Sequence, residues 1–597
     1  MSHDTIPARL QEQGRVRAEQ MAYHIKAKGT WRGATWATYA KEVRDAARAL
    51  IALNLAPEGT VAVLGFNRPE WSIFNMGAMS AGGAPAGIYT TCSAPEVAYV
   101  IAHAGATVVL LEDAHQWAKV EAQLDNLPDL KHVVMMNGAP ALADASGRVT
   151  IHSWDAFLGL AEQVPEETVR ERIEALQPDQ LATFIYTSGT TGPPKGVMLS
   201  HQNLAWTAQI AGVLVEIDDR DSSLSYLPLS HIAEQIFTLH GPATYGHQIY
   251  YAESLDLVAE NLKEVRPTIL FAVPRIWEKF YAGIRAKLAD APPVKAALAA
   301  WAMRVGRQLV ALENGGESVP GLLQLQYRLA DKLVLSKVRA ALGLDRLRFA
   351  VSGAAPISKE ILTFLGGLGI AIREVYGQSE DTGPTSFNRP GRTLFGTVGP
   401  PVPGVDVSIA ADGEILVKGP NVFLGYYKDQ AATDEALQDG WLLSGDLGRI
   451  DEEGFLHITG RKKDIIITAG GKNIAPKNIE ASLKNDDLIT EAVVIGDRRK
   501  FLSALICLDP DAAARYAKKH GISDKNLHES PAIIAAVQAV VNTTNAEFAR
   551  VEHIRKFVVL PRPLSVEAGE LTPTLKVKRN VVNTRYAEII DGMYPKD

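Results

Sequence analysis

Cysteine is nearly absent from this chain, which has only Cys92 and Cys507 among its 597 residues. Two cysteines exclude a disulfide framework and indicate a reducing compartment, so we expect a cytoplasmic protein whose cysteines are buried and inert. Long apolar runs are also missing: no 18 consecutive residues are apolar, and the polar first 20 residues hold no signal-peptide core. These absences exclude a disulfide-stapled secreted domain and a membrane-spanning bundle.

An excess of positive charge is also lacking. Lys and Arg number 61 against 68 Asp and Glu, which gives a net charge of −7. Such a chain has no electrostatic footprint for DNA or RNA, so we expect no nucleic-acid partner. Apolar residues make up 47% and charged residues 22%, as in ordinary globular proteins. At roughly 100–200 residues per domain, this length predicts more than one domain.

Short apolar runs alternate with helical stretches from about Thr60 onward. The runs are typical of buried strands, and Pro69 stands where the first following helix would begin. Strands separated by helices predict an α/β protein with mostly parallel sheets. The predicted strands cover residues 60–66, 107–113, 132–137, 181–189, 268–273 and 347–353.

Three later regions depart from this pattern. Residues 283–343, rich in Ala, Leu, Lys and Arg, predict a helical insertion. We favour a helix pair packed on the domain, and amphipathic helices resting on the inner face of a membrane stay open as the alternative. Residues from about 400 to 460 predict β-hairpins with glycine turns. From Lys463 the order of strand, helix, strand and strand predicts a small α+β domain, which divides the chain into 1–462 and 463–597.

A glycine-rich segment, YTSGTTGPPKG at 186–196, follows a predicted buried strand. Glycines let backbone amides approach an anion, hydroxyls donate to phosphate oxygens, and Lys195 adds a positive charge. The segment is not a Walker A loop, because no Gly-Lys-Ser/Thr follows at the required spacing. Alone it fits either a phosphate loop or a mobile surface loop.

Six further segments follow it in order along the chain. They read YLPLSHIAEQ at 226–235, SGAAP at 352–356, VYGQSE at 375–380, GWLLSGD at 440–446, TGRKKDIIITAGGKNIAPKNIE at 459–480 and ELTPTLKVKR at 570–579. With the glycine-rich loop, they resemble the motifs of the adenylate-forming (AMP-binding) superfamily. The variants PLSHIAEQ and LTPTLKVKR, together with the helical insertion, are most similar to the bubblegum-like branch of the long-chain fatty acid–CoA ligases.

The resemblance implies a large N-terminal adenylate-forming domain, a small mobile C-terminal domain and a two-step reaction. A fatty acid would attack ATP to give acyl-AMP and pyrophosphate, and the thiol of CoA would then take the acyl group. Mg²⁺ is the implied cofactor, held by Glu380 with Thr187 as a second ligand. Two alternatives stay open: a fatty acyl-AMP ligase that loads a separate carrier protein, and a non-catalytic relative that binds an acyl group or nucleotide.

The resemblance also assigns roles to single residues. Lys576 would bridge the substrate carboxylate and the α-phosphate; the tail Thr-Pro-Thr-Leu-Lys makes Lys578 the alternative. His231 would lie beside the carboxylate, Lys463 would be the hinge, and Gly470 and Gly471 would leave a path for CoA. The implied ATP and AMP ligands are Thr187, Ser188, Gly189, Thr190, Thr191, Gly192, Lys195, Gly353, Ala354, Tyr376, Gly377, Ser379, Asp446 and Arg461.

Overall fold

A computed structural model describes residues 4–138, 147–187, 193–470, 472–523, 526–572 and 576–594. Two eight-stranded sheets form the centre of the large N-terminal region. Both are parallel in their middle strands; the first has antiparallel strands at one edge and the second at both edges, which confirms the predicted α/β class.

The first sheet carries the glycine-rich segment at one side. Its strands, in spatial order, are Gly425–Tyr426, Lys195–Ser200, Leu181–Thr187, Ala84–Ile88, Thr60–Leu64, Val108–Leu111, His132–Met135 and Thr150–Ser153. Two later motifs, SGAAP and VYGQSE, begin at the carboxyl ends of strands in the second sheet. Its strands are Ser386–Phe387, Ile372–Tyr376, Phe349–Ser352, Ile269–Ala272, Ser222–Ser225, Gln248–Tyr251, Met21–Ala27 and Thr30–Thr35.

Helices cover both sheets, and their packed faces form the main apolar clusters, which include Trp36, Trp71 and Trp277. The helices of this region are Ile6–Val16, Trp36–Ala52, Pro69–Ser80, Ala94–Ala104, Ala114–Glu121, Trp154–Gly159, Glu166–Ala175, His201–Val215, Ile232–Gln235, Gly241–Tyr245, Val258–Val265, Pro274–Ala289, Pro293–Asn314, Gly321–Ala330, Ser336–Leu342, Lys359–Gly367 and Gln430–Ala436. Two π-helical turns, Ile236–His240 and Asp331–Leu335, interrupt longer helical stretches.

An antiparallel sheet follows, as predicted for residues 400–460. It consists of Asp406–Ile409, Glu414–Lys418, Leu437–Gln438, Trp441–Ile450 and Leu456–Arg461. Gly413 and Gly454 adopt φ angles of 88° and 84°, which are open to glycine in the turns that join these strands.

The C-terminal region has its own three-stranded sheet of Ile489–Ile495, Leu502–Leu508 and Ile554–Val559. Its helices are Pro476–Leu483, Pro510–His520, Pro531–Glu547, Arg579–Arg585 and Ala587–Gly592. The predicted order of strand, helix, strand and strand is confirmed, with the helix beginning at Pro476, but the first strand, within DIIITAGG, is only two residues long. Only Ile466–Ile467 pairs there, because Thr468 donates back to Lys472 and closes a short hairpin onto Asn473–Ile474.

The helical insertion and the strand ends need correction. Residues 283–343 are helical, but they form three helices after the end of a fourth rather than the predicted pair. The six predicted strands exist and most are shorter than expected. The strand predicted over 107–113 ends at Leu111, since the Asp113 side chain accepts from the Gln116 amide and caps the next helix. None of the helices in the described ranges is both long and apolar enough to cross a bilayer.

Candidate active site

A cavity of about 860 Å³ opens where the two large sheets, the antiparallel sheet and the small C-terminal region meet. Most of the predicted site residues line it, although they come from segments almost 400 positions apart in the chain. They are Thr187, Lys195, His231, Ala354, Tyr376, Gly377, Ser379, Glu380, Asp446, Arg461, Lys463 and Lys576. Ser188, Gly189, Thr190, Thr191, Gly192 and Gly471 lie outside the described residues.

The glycine-rich segment connects two paired strands at the end of this cavity where the sequence predicts phosphate binding. Thr187 and Lys195 face each other as the last pair of the ladder, so the connecting loop begins and ends there. The Lys195 ammonium lies 4.5 Å from the centre of the Tyr426 ring. The Tyr426 hydroxyl in turn donates to Glu380 Oε1 at 2.8 Å. A cation and an anchored carboxylate therefore face the same space.

Glu380 and Thr187 fit the requirements of Mg²⁺. This ion takes oxygen ligands, and one or two carboxylates suffice when phosphate oxygens and waters complete the shell. Glu380 is only partly buried and keeps Oε2 available on the cavity. Among the described residues, no group of three His, Cys, Asp or Glu side chains is gathered for a metal. The ligand set therefore suits an ion that arrives with a polyphosphate.

The nucleotide end is built on the last residue of strand Ile372–Tyr376. The Tyr376 hydroxyl donates to Asp446 Oδ2 at 2.9 Å, and Arg461 Nε lies 3.4 Å from Asp446 Oδ1. Asp446 and Arg461 are ladder partners in the antiparallel sheet, which fixes their spacing. Burial, with the charge of Asp446 next in weight, raises the pKa of Tyr376, so its hydroxyl stays a donor. The Asp446 carboxylate thus holds the Tyr376 ring in place at the cavity.

Close contacts explain the glycines of two motifs, with backbone at Gly377 and with side chains at Gly353. A side chain at Gly377 would place its first carbon 1.3 Å from the Gly383 carbonyl oxygen, so only glycine fits. A side chain at Gly353 would meet Val375 and Phe271, and this glycine is not among the described residues that line the cavity. Ala354, which is predicted to contact adenine together with Gly353, lines the cavity and adopts a left-handed φ of 66°.

Lys576 reaches the cavity from the C-terminal region. Its side chain is accessible to solvent inside the cavity, yet protein groups surround it. That enclosure, followed by the charges of Arg461 and Lys477, lowers the pKa of Lys576 to about 8. Lys578 does not line the cavity. The structure thus brings Lys576, and not Lys578, to the predicted reaction centre.

His231 lies near Lys576 as a neutral imidazole. Burial, followed by the charge of Lys576, lowers the pKa of His231 to about 4. Its Nδ1 accepts from the Ala233 amide at 3.2 Å and caps the helix Ile232–Gln235, so the ring proton is on Nε2. His231 can therefore donate one hydrogen bond into the cavity without adding charge.

Two groups that the sequence did not predict hold the lysine segment and the hinge. Glu570 is fully buried and accepts from Arg562, Arg585 and the Tyr586 hydroxyl. Its backbone carbonyl accepts from the Lys578 amide, so this cluster fixes the segment that carries Lys576. Although burial raises the pKa of Glu570, these hydrogen bonds outweigh it and bring the pKa to about 2.

Lys462, next to the predicted hinge residue, is the second such group. Its ammonium lies 2.6 Å from Asp412, in a turn of the antiparallel sheet, and 2.8 Å from Glu414, at the start of the strand that follows. Lys463 follows in a short 3₁₀ turn, Lys462–Asp464, and lines the cavity. Gly470 is outside the cavity lining, so this arrangement does not bring it near Glu380. A salt-bridged anchor thus precedes the turn at which the small region begins.

An apolar limb extends from the polar groups between the second sheet and the helix His201–Val215. Ala208, Ala211, Leu214, Val215, Ile236, Phe237, Phe271 and Val351 line it. The limb suits an extended hydrocarbon chain with its carboxylate at the polar end. Both cysteines are buried, as predicted, and burial raises the pKa of each to about 12, so neither is a nucleophile.

Comparison with known proteins matches both regions to described families. Residues 10–427 match the family described as AMP-binding enzyme, and residues 463–597 match AMP-binding enzyme C-terminal domain. The chain is 38% identical to the long-chain-fatty-acid–CoA ligase ACSBG2 of Gallus gallus, over 99% of this chain and 81% of that protein. It is 36% identical to the long-chain-fatty-acid–CoA ligase FadD15 of Mycobacterium bovis, over 100% of this chain and 98% of that protein.

Solved structures share the fold at lower identity. The adenylation domain of a carboxylate reductase from Mycobacterium chelonae superposes with a TM-score of 0.78 at 22% identity, covering 99% of this chain and 91% of that chain. An ATP-bound MatB from Rhodopseudomonas palustris superposes with a TM-score of 0.69 at 22% identity, covering 99% and 100%. At these identities, the likeness shows a common fold.

Proposed function

Since the chain belongs to the AMP-binding enzyme family, we propose that it is an ATP-dependent long-chain fatty acid–CoA ligase. The observation that carries the proposal is the meeting of Lys576 with Glu380, Tyr376 and Asp446 on one cavity. Relatives that carry the name long-chain-fatty-acid–CoA ligase match nearly the whole chain, which supports the same activity.

The first step joins the fatty acid to AMP. A carboxylate oxygen attacks the α-phosphorus of ATP, the new oxygen–phosphorus bond forms, and the bond to the β-phosphate oxygen breaks with its electrons to release pyrophosphate. The Lys576 ammonium, placed near the carboxylate, would offset the repulsion between the two anions and the charge that builds on the α-phosphate. His231 Nε2 would donate to the carboxylate, and Lys195 would hold phosphate oxygens.

Mg²⁺ supplies charge neutralisation on the triphosphate when it is bound. Glu380 and Thr187 would hold it, and the Tyr426 hydroxyl would keep the Glu380 carboxylate in place. Asp446 would accept hydrogen bonds from the ribose hydroxyls, while Arg461 limits the electrostatic cost of that partly buried carboxylate.

The second step transfers the acyl group to the thiol of CoA. The thiolate attacks the acyl carbon, the bond to the AMP oxygen breaks, and AMP leaves with those electrons. The cavity already holds Lys576 at its polar end, so the thiol would need the small region to turn about Lys463 and present Gly470 and Gly471 instead. A carrier protein is the alternative acceptor.

Acid-dependent exchange of pyrophosphate into ATP tests the proposal. Exchange with long-chain acids and AMP as the only nucleotide product support it, whereas stoichiometric ADP would contradict the α-phosphate attack. Thioester formation with CoA, compared with a purified acyl carrier protein, then distinguishes the two acceptors. A protein that binds the acid and ATP without exchange would be the non-catalytic relative.

A peripheral contact with a membrane is the second part of the proposal. Four leucines are exposed along the helix Gly321–Ala330 and the turn after it: Leu322 by 70%, Leu325 by 65%, Leu329 by 51% and Leu333 by 40%. Their spacing of three and four residues places them on one face, which we call the leucine face.

The charge of the surrounding region indicates what the leucine face binds. Residues 293–342 hold seven Lys and Arg against three Asp and Glu, a net +4 in a chain of net −7. Exposed Lys332 and Lys337 lie next to the leucines in sequence. An apolar stripe beside basic side chains fits the surface of an anionic bilayer, from which a long-chain fatty acid would also be drawn.

Vesicle sedimentation tests this contact. The protein should bind phosphatidylcholine vesicles that contain phosphatidylglycerol better than pure phosphatidylcholine vesicles. The double variant Leu325→Glu and Leu329→Glu should lose binding, while Leu255→Glu, at another exposed leucine, should keep it. Equal sedimentation of all three proteins, or a dimer that the double variant dissociates, would overturn the proposal.

A further inference from the structure

One polar side chain interrupts the apolar limb of the active-site cavity. Between Ala208 and Phe271, two of the residues that line the cavity have polar side chains: His231, which belongs to the reaction centre, and His247. His247 is 1% exposed, and neither of its ring nitrogens makes a hydrogen bond of normal geometry, although one makes a weaker contact with the Phe237 backbone. Buried polar groups are almost always paired, so an unpaired imidazole that faces a cavity calls for an explanation.

The position of His247 puts it far from the reaction centre. It directly precedes the parallel strand Gln248–Tyr251, whereas Tyr376 and Ala354 lie at or beyond the carboxyl ends of other parallel strands of the same sheet. Four residues of strand separate His247 from the carboxyl end of its own strand, which is about 13 Å. The distal part of a long acyl chain would therefore reach His247, and its carboxylate would not.

The neighbouring backbone keeps His247 on the cavity wall. The π-helical turn Ile236–His240 ends at Gly241, which also lines the cavity. The first carbon of a side chain at Gly241 would lie 3.3 Å from His247 Cε1 and 2.8 Å from the Ile236 carbonyl oxygen. Glycine at this position therefore leaves room for the imidazole. Turns of this kind are frequent at functional sites.

The imidazole is neutral and so offers one donor and one acceptor. Burial lowers the pKa of His247 to about 4. The charge of Asp221 and the contact with the Phe237 backbone act in the opposite direction, and their effects are smaller. Asp221 is itself paired with Arg348, so it does not take the His247 proton. His201 and His240 are also buried and unpaired, but they do not line the cavity and so cannot meet a ligand there.

We infer that His247 is a specificity residue that hydrogen-bonds an oxygen on the distal part of the acyl chain, so that the enzyme accepts hydroxylated long-chain fatty acids. The inference rests on the proposed function, because it assigns the apolar limb to the acyl chain. A site that hydrogen-bonds a substrate hydroxyl discriminates strongly against the analogue that lacks it, since its own polar group is then left unpaired.

The test compares saturated acids of 10 to 18 carbons with the same acids carrying a terminal hydroxyl. For each pair, kcat/KM for pyrophosphate release gives the preference of the enzyme for the hydroxyl. We expect this preference to peak at one chain length and to fall at least about tenfold there in His247→Leu. His247→Gln, which keeps a donor and an acceptor, should retain part of it.

His240→Leu is the matched control, because it removes a buried unpaired imidazole away from the cavity. It should leave the preference unchanged, and thermal unfolding checks that each variant is folded. If His247→Leu and His247→Gln both keep the preference of the unmodified enzyme at every length, the inference is wrong. If no acid of either series releases pyrophosphate, the proposed function fails instead.

Discussion

Glu380 contributes the carboxylate at the phosphate end of the cavity, and the Tyr426 hydroxyl fixes one of its oxygens. Glu380→Ala should slow adenylation by about 10²–10³, because it removes a preorganised charge contact. The rate of pyrophosphate release, measured across a Mg²⁺ titration, checks this. Tyr426→Phe is a milder companion variant that leaves the carboxylate in place. An unchanged Mg²⁺ response in Glu380→Ala would remove Glu380 from the metal site.

Lys576 has a pKa of about 8, so its charge changes within an accessible pH range. The ammonium form is the one that can bridge two anions, and it is present below that pKa. Adenylation, as kcat/KM for ATP, should therefore fall as the pH rises through about 8. Lys576→Arg, whose guanidinium stays charged, should lose this alkaline limb even if its rate is lower. An identical alkaline limb in both proteins would assign the titration to another group.

Sequence motifs predicted most of the residues that face one another across this cavity. Glu380, Asp446 and Lys576 belong to short patterns whose residue types fit phosphate, ribose and carboxylate chemistry. Tyr426 and Lys477 could not be found in this way, since their contact with the site depends on how distant segments pack. The same is true of Glu570, which looks like an ordinary acidic residue in the sequence and is fully buried in the fold.

Hydrogen bonds among Glu570, Thr572, Lys576 and Lys578 hold Lys576 in place. Thr572 donates to the Lys576 carbonyl oxygen at 2.7 Å, and the Lys576 amide donates to Thr572 Oγ1 at 3.0 Å. Beneath them, Glu570 is held by Arg562, Arg585 and the Tyr586 hydroxyl. The position of the Lys576 ammonium therefore depends on a buried carboxylate that does not itself line the cavity.

Glu570→Gln should weaken this arrangement without removing any cavity side chain. Arg562 and Arg585 are both nearly half exposed, so the variant loses charge-assisted hydrogen bonds rather than leaving a buried charge unpaired, which costs about 1.5–3 kcal/mol. We expect a lower unfolding midpoint, slower adenylation and an alkaline limb displaced from about pH 8, because Lys576 would be placed differently. Glu567→Gln, at a nearby carboxylate outside this cluster, is the control. A destabilised variant with an unaltered pH profile would show that Glu570 acts on stability alone.

The strands and helices were predicted better than their ends. The strand at 107–113 was expected to be longer because the sequence pattern does not show that Asp113 caps a helix. The first 59 residues contain the helix Ile6–Val16 and the strands Met21–Ala27 and Thr30–Thr35, which their mixed composition did not indicate. These strands complete the edge of the second sheet, and such pairing depends on contacts more than 200 residues apart.

At the level of the whole molecule, the large and small regions share one cavity. Arg275 in the large region donates to Thr490 Oγ1 at 2.8 Å and to its carbonyl oxygen at 3.2 Å, which holds the small region in the arrangement that presents Lys576. Lys462 ties the start of the hinge to the antiparallel sheet. The two steps need different arrangements. Adenylation needs a closed site that binds anions, whereas thioester formation needs a path for the thiol.

Separate assays of the two half-reactions test this division of labour most directly. Adenylation is measured as acid-dependent pyrophosphate exchange, and thioester formation as the conversion of supplied acyl-AMP and CoA. Lys576→Ala should slow adenylation by at least about 10²–10³ and leave thioester formation nearly unchanged, while Lys578→Ala should keep both. Equal loss of both half-reactions in Lys576→Ala, or loss of adenylation in Lys578→Ala alone, would contradict the placement of Lys576 as the residue that serves only the first step.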